Sequence, residues 1–131
     1  MDTAYLRMMA VAYAITVAIE LPALLVGLSR RHAIKHRLFT GFWLTACTYP
    51  ILWLVLPEFF QLPEQHVLYL AVGETFVPIA ECLLFWFAFG KTEPQSRGAT
   101  VRDFAAIVIA NLLSFGLGEA FNKNIGWDWL K

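Results

Sequence analysis

Glu74 and Glu81 stand seven residues apart within residues 67–89, an apolar stretch that contains no Lys or Arg. A carboxylate is expensive to hold in a segment suited to crossing a bilayer, so two of them point to a site. A spacing of seven places both side chains on one helical face, two turns apart. Glu20 and Glu119 lie in other apolar stretches. With no intramembrane Lys or Arg, Glu20, Glu74 and Glu81 must be protonated, hydrogen-bonded to one another or to Asn111, hydrated, or bound to a cation. Hard oxygen ligands suit a proton, Na⁺, Mg²⁺, Ca²⁺ or Mn²⁺. An organic cation would also find aromatic faces at Trp43, Tyr49, Trp53, Phe76 and Trp86, although lipid contact or core packing accounts for most of these. The plainer alternative is protonated glutamate acting as interhelical glue, worth only about 1 kcal/mol each. Glutamine would serve that purpose without the ionisation risk, so repeated Glu favours a functional site.

The elements that must position these groups are membrane helices. Of the 131 residues, 59% are hydrophobic and 15% charged, with mean hydropathy +0.59. Soluble domains carry about 25% charged residues, so the composition describes an integral membrane protein. Four apolar stretches, residues 8–28, 38–57, 67–89 and 103–121, each approach the ~20 residues needed to span the hydrocarbon core. Short connections predict an all-α, up-down four-helix bundle forming a single membrane domain over residues 1–131. The tail, 122–131, mixes Trp with charge and is expected at the membrane interface.

Loop charge predicts an orientation. Seven of the ten Lys and Arg lie in two loops, four at Arg30, Arg31, Lys35 and Arg37 and three at Lys91, Arg97 and Arg102. The loop between them in sequence carries Glu58 and Glu64 and no base. The positive-inside rule puts the basic loops in the cytoplasm and both termini outside, as in a bacterial inner membrane. At ~1.5 Å per residue, Glu20, Glu81, Asn111, Thr48 and Tyr49 fall near the membrane centre, and Glu74 lies about 6 Å outward. Ser114 lies between them in depth, and Glu119 reaches the outer interface. Tyr13, Thr16 and Glu20 share a helical face, as do Gly41, Thr45 and Thr48, and Asn111, Ser114 and Gly118. These stripes should face one another or a wet cavity. Pro22, Pro50 and Pro78 each lie near a polar residue, and the carbonyls they free could add oxygen ligands. Kinks satisfied by Ser, Thr or water are the simpler explanation for any one of them.

Other signals exclude more than they add. Zero net charge gives no footprint for nucleic acid. Cys47 and Cys82 read as packing residues. His32 and His36 have a metal-gripping spacing but stand among four cations, so a solvated loop facing lipid headgroups is expected instead. His66 reads as structural, or as a pH-responsive entrance residue. No hydrolase, nucleotide or dinucleotide motif is present, and no cofactor is implied. Ala106, Ala110, Ser114 and Gly118 form a small-residue seam, for use inside the bundle or in a homodimer. In size, span count and the glutamate of its first span, Glu20, the chain resembles the small multidrug resistance transporters. The resemblance implies cation movement coupled to a buried acid; Glu74, Glu81 and the strongly basic first loop depart from that pattern. The expected function is binding or translocation of a cation, most simply a proton. Its site is Glu20, Glu74, Glu81, Asn111, Ser114, Glu119, Tyr49 and Thr48. Behind it stand an accessory subunit of a larger membrane complex and, third, an intramembrane hydrolase.

Overall fold

The computed structural model describes residues 3–124. Four helical rods account for most of it: α1 (Thr3–Gly27), α2 (Ile34–Pro50), α3 (His66–Phe89) and α4 (Arg97–Asn124). Helix α2 runs on through a π turn, Ile51–Val55, and a 3₁₀ turn, Leu56–Phe59. Each rod is long and apolar enough to cross a membrane, and no strand occurs among the described residues. The fold class is therefore the all-α, four-span bundle expected. Residues 122–124 of the tail continue α4, whereas 125–131, with Trp127 and Trp129, lie outside the described residues.

The rods occupy the corners of a square. Helix α1 packs most extensively on α4 and next on α2, while α3 packs on the same two neighbours. That leaves α1 and α3 on one diagonal, and α2 and α4 on the other. Large apolar side chains such as Val26, Val67, Phe87 and Ile109 point outward, as contact with lipid requires.

The end carrying the basic loops is closed. Leu24, Leu28, Leu44, Phe85, Ile107 and Ala110 fill it as a continuous apolar plug. Close helix approach makes this possible: a Cβ added to Gly27 would lie 2.8 Å from the Ala106 Cβ. Helices leave their last carbonyls without intrahelical donors, and cations suit that end. Here Arg37 donates to Leu25 O at 2.9 Å, and Arg102 donates to Gly27 O at 2.8 Å and to Val26 O at 3.2 Å. Two bases from other elements therefore finish α1. The small-residue seam is used inside the bundle: Ala106 and Ala110 are buried in the plug and Ser114 bonds to α1. At the fourth position, Gly118, an added Cβ would meet nothing within 4 Å.

The opposite end is propped open. Pro50 has no amide to donate, and immediately beyond it the helical ladder widens into the π turn. Two carbonyls of that turn take tyrosine donors, Tyr5 Oη to Trp53 O at 2.6 Å and Tyr69 Oη to Leu52 O at 2.9 Å. Helices α1 and α3 are thereby pinned to the irregular part of α2. Pro22 and Ala18, the residue whose carbonyl it frees, are both exposed on a continuous α1.

Replacing Gly27 by Ala should cost about 1–3 kcal/mol through overpacking against α4. Gly116→Ala, where an added Cβ meets nothing within 4 Å, should leave stability unchanged or raise it. Thermal melting of the detergent-solubilised variants checks the pair; equal melting temperatures would contradict the close α1–α4 approach.

Candidate functional site

Above the apolar plug lies a cavity of about 320 Å³ within the single chain. Glu20 and Glu81 form its floor, at 2% and 1% exposure. Each carboxylate accepts two hydrogen bonds, one from α2 and one from α4. Thr45 Oγ1 donates to Glu20 Oε2 at 2.8 Å and Ser114 Oγ to Glu20 Oε1 at 2.6 Å. Thr48 Oγ1 donates to Glu81 Oε1 at 2.8 Å and Asn111 Nδ2 to Glu81 Oε2 at 2.7 Å. The acids thus sit on one diagonal of the square and their donors on the other. Thr45 and Thr48 are three residues apart, as are Asn111 and Ser114, so one face of each donor helix serves both acids.

The three hydroxyls have a second partner each. Thr45 Oγ1 lies 3.1 Å from Gly41 O, Thr48 Oγ1 lies 3.1 Å from Leu44 O, and Ser114 Oγ lies 3.0 Å from Asn111 O. A hydroxyl carries one proton and can also accept. Facing an ionised carboxylate, it donates to the carboxylate. Facing a protonated carboxyl, it accepts that proton's hydrogen bond and turns its own proton to the backbone carbonyl. Both states of the acid are then satisfied without moving a helix, as a buried polar network requires. Asn111 differs, since Nδ2 only donates, to Glu81 and to Ile107 O at 3.0 Å.

Glu74 and Glu119 line the cavity nearer its mouth, half-buried, with no side-chain hydrogen bond among the described residues. Tyr49 is buried on the wall and stacks on Trp53, ring centroids 5.8 Å apart and planes at 25°. Exposed His66 borders the mouth and stacks on Tyr69. No Lys or Arg lines the cavity among the described residues. Of the other aromatics, Phe76 and Trp86 face outward and Trp43 stacks on Phe39. All eight residues expected at the site, Glu20, Glu74, Glu81, Asn111, Ser114, Glu119, Tyr49 and Thr48, border this one cavity. Thr45 belongs with them. It lay on the same expected stripe of α2 as Thr48, and the signal was its three-residue offset from Thr48, matching that of Asn111 and Ser114. Among the described residues, no three His, Cys, Asp or Glu converge as metal ligands.

A second polar cluster, at the basic end, corrects the expectation for His32. Rather than lying in a solvated loop, His32 is 1% exposed and wedged edge-on against Phe85 and Phe89. Asp103, fully buried at the start of α4, holds it: His32 Nε2 lies 2.9 Å from Asp103 Oδ2. The same carboxylate accepts from Arg31 Nη2 at 2.8 Å, from the Ser29 amide at 2.6 Å and from Ser29 Oγ at 3.1 Å. An unpaired buried acid would be prohibitive, and this acid draws Arg31 and His32 out of the loop together with the Ser29 amide. His36 stays exposed, as expected. The only sequence trace of this knot was an acid at the edge of a span whose neighbouring loops are basic.

Compared with family models, curated proteins and solved structures, the chain matches none. The likeness to small multidrug resistance transporters thus rests on architecture and Glu20 alone.

Asp103→Ala should destabilise by about 3–5 kcal/mol, because it leaves buried Arg31 without its counter-charge. Thr48→Val should cost about 1–3 kcal/mol by stripping Glu81 Oε1 of its donor. Melting temperatures in detergent should fall in that order; a harmless Asp103→Ala would refute the knot's structural role.

Proposed function

We propose that this is a small multi-pass membrane protein that binds and translocates a cation, most simply a proton, through Glu20 and Glu81. The observation that carries the reading is the reversible hydrogen bonding of the two acids: hydroxyls accommodate each carboxyl with or without its proton. Glue would need only fixed partners. A cavity reaching the acids from one end, against an apolar plug at the other, supports access from one side at a time. With the basic loops in the cytoplasm, as the positive-inside rule favours, the cavity opens outward, toward the periplasm of a bacterial inner membrane. Glu74 and Glu119 then gather cations at the mouth.

The accessory-subunit reading called for arginines from a partner helix to pair with the glutamates. Glu20 and Glu81 already have two donors each within the chain, which weakens that motive for these two acids. For intramembrane hydrolysis the candidate nucleophiles on the wall, Ser114, Thr45 and Thr48, donate to carboxylates, and the one histidine that borders the cavity among the described residues, His66, stands at its mouth.

Proteoliposomes with a trapped pH indicator test the proposal. Wild-type protein should dissipate an imposed pH gradient, and Glu20→Gln and Glu81→Gln should each slow this about a hundredfold, the scale of losing a proton-transfer group. Thr48→Ser, which keeps the hydroxyl, should retain the rate that Thr48→Val loses. Wild-type flux in the double Glu→Gln variant would sink the reading.

A further inference from the structure

A proton needs no cavity of about 320 Å³, and this volume falls in the range of small-molecule sites. Its acids come in two tiers. Glu20 and Glu81 lie at the floor, and Glu74 and Glu119 stand above them on α3 and α4. Along α3 the tiers are seven residues apart, about 10 Å of helical rise. Glu119 is eight residues beyond Asn111, the partner of Glu81, and so reaches the level of Glu74 on the facing helix. Between the tiers the wall is aromatic and fixed, formed by Tyr49 stacked on Trp53 and by Tyr69 tied through its hydroxyl to α2.

Asn111 supplies an independent observation. It is 6% exposed and borders the cavity. Both amide protons have acceptors, Glu81 Oε2 and Ile107 O, but its Oδ1 takes no hydrogen bond from any described residue. That oxygen stays open to the cavity beside a carboxylate, where it can accept from a donor that enters. A primary ammonium brings three donors and a positive charge. Each floor carboxylate, with about four lone-pair sites and two donors already bound, still has capacity to accept one.

Resting on the cation-site reading above, we propose that the cavity binds a linear aliphatic polyamine. One terminal ammonium sits among Glu20, Glu81 and Asn111, the other between Glu74 and Glu119, with the methylene chain against the aromatic wall. An extended chain advances about 1.2 Å per covalent bond, so eight or nine bonds cover the gap between tiers. Spermidine and diaminooctane have that reach, and putrescine falls short. A single-headed cation leaves the upper acids unmatched. An amino-lipid headgroup would set its phosphate against Glu74 and Glu119.

The test is calorimetric binding to the full-length protein in detergent, with variants first checked for wild-type melting. Spermidine and diaminooctane should bind at least about tenfold tighter than putrescine or octylamine. Glu74→Gln should cost spermidine about tenfold while leaving octylamine unchanged, and Glu81→Gln should weaken both. Octylamine binding as tightly as diaminooctane, spermidine binding indifferent to Glu74→Gln, or competition by phosphoethanolamine would each overturn the polyamine assignment. Proton flux that depends on Glu20 and Glu81 without any polyamine binding would overturn this inference and leave the proton reading standing. Length-selective polyamine binding in a protein that passes no protons would do the reverse.

Discussion

Taking a carboxylate out of water costs several kcal/mol unless fixed dipoles replace its hydration. This bundle does it twice in one layer, with no cationic side chain in that layer. Four neutral donors carry the whole burden, and they must come from the two helices that flank both acids. That requirement sets the square arrangement, the diagonal placement of α1 and α3, and the register at which α2 and α4 present their polar faces. A slip of one residue in either donor helix would turn its hydroxyl or amide away by about 100° and strand an acid.

The two ends of the bundle answer opposite demands. At the basic end, Gly27 lets α1 approach α4, Asp103 draws Arg31 and His32 inward, and arginines complete the end of α1. The buried charge there is paired, Asp103 with Arg31, and locks the chain. At the other end the irregular continuation of α2 keeps the rods apart, and tyrosines rather than salt bridges secure it. Above the floor, Glu74 and Glu119 have no Lys or Arg beside them among the described residues that line the cavity, and exposed His66 stands at its mouth. Rigidity and unmet electrostatic demand are thus segregated along the membrane normal.

Much of this was legible in the sequence because hydrocarbon leaves few choices. Four apolar stretches, one polar stripe on each, and antiparallel depth matching were enough to associate Glu81 with Asn111 and Thr48; they set Ser114 between the centre and Glu74, whereas it bonds to Glu20. Helix limits were less legible, since α1 begins at Thr3 and α4 at Arg97, both outside the apolar stretches. His32 was misread for a physical reason: a histidine among cations belongs in water unless something distant pulls it in, and Asp103 is 71 positions away. The outcome of a proline was equally unreadable. Pro22 leaves α1 continuous while Pro50 is followed by a π turn; the difference lies in whether neighbouring helices offer donors such as Tyr5 and Tyr69.

The single amide among the four donors makes the two acids unequal. Glu20 faces a reversible hydroxyl on each oxygen, whereas Glu81 faces one on Oε1 and a permanent donor on Oε2. A proton therefore has two seats on Glu20 and one on Glu81, three in all, and the Glu81 seat always lies toward Thr48 on α2. The layer is asymmetric in its proton positions despite its near-symmetric frame, so its two acids differ in how many places can hold a proton.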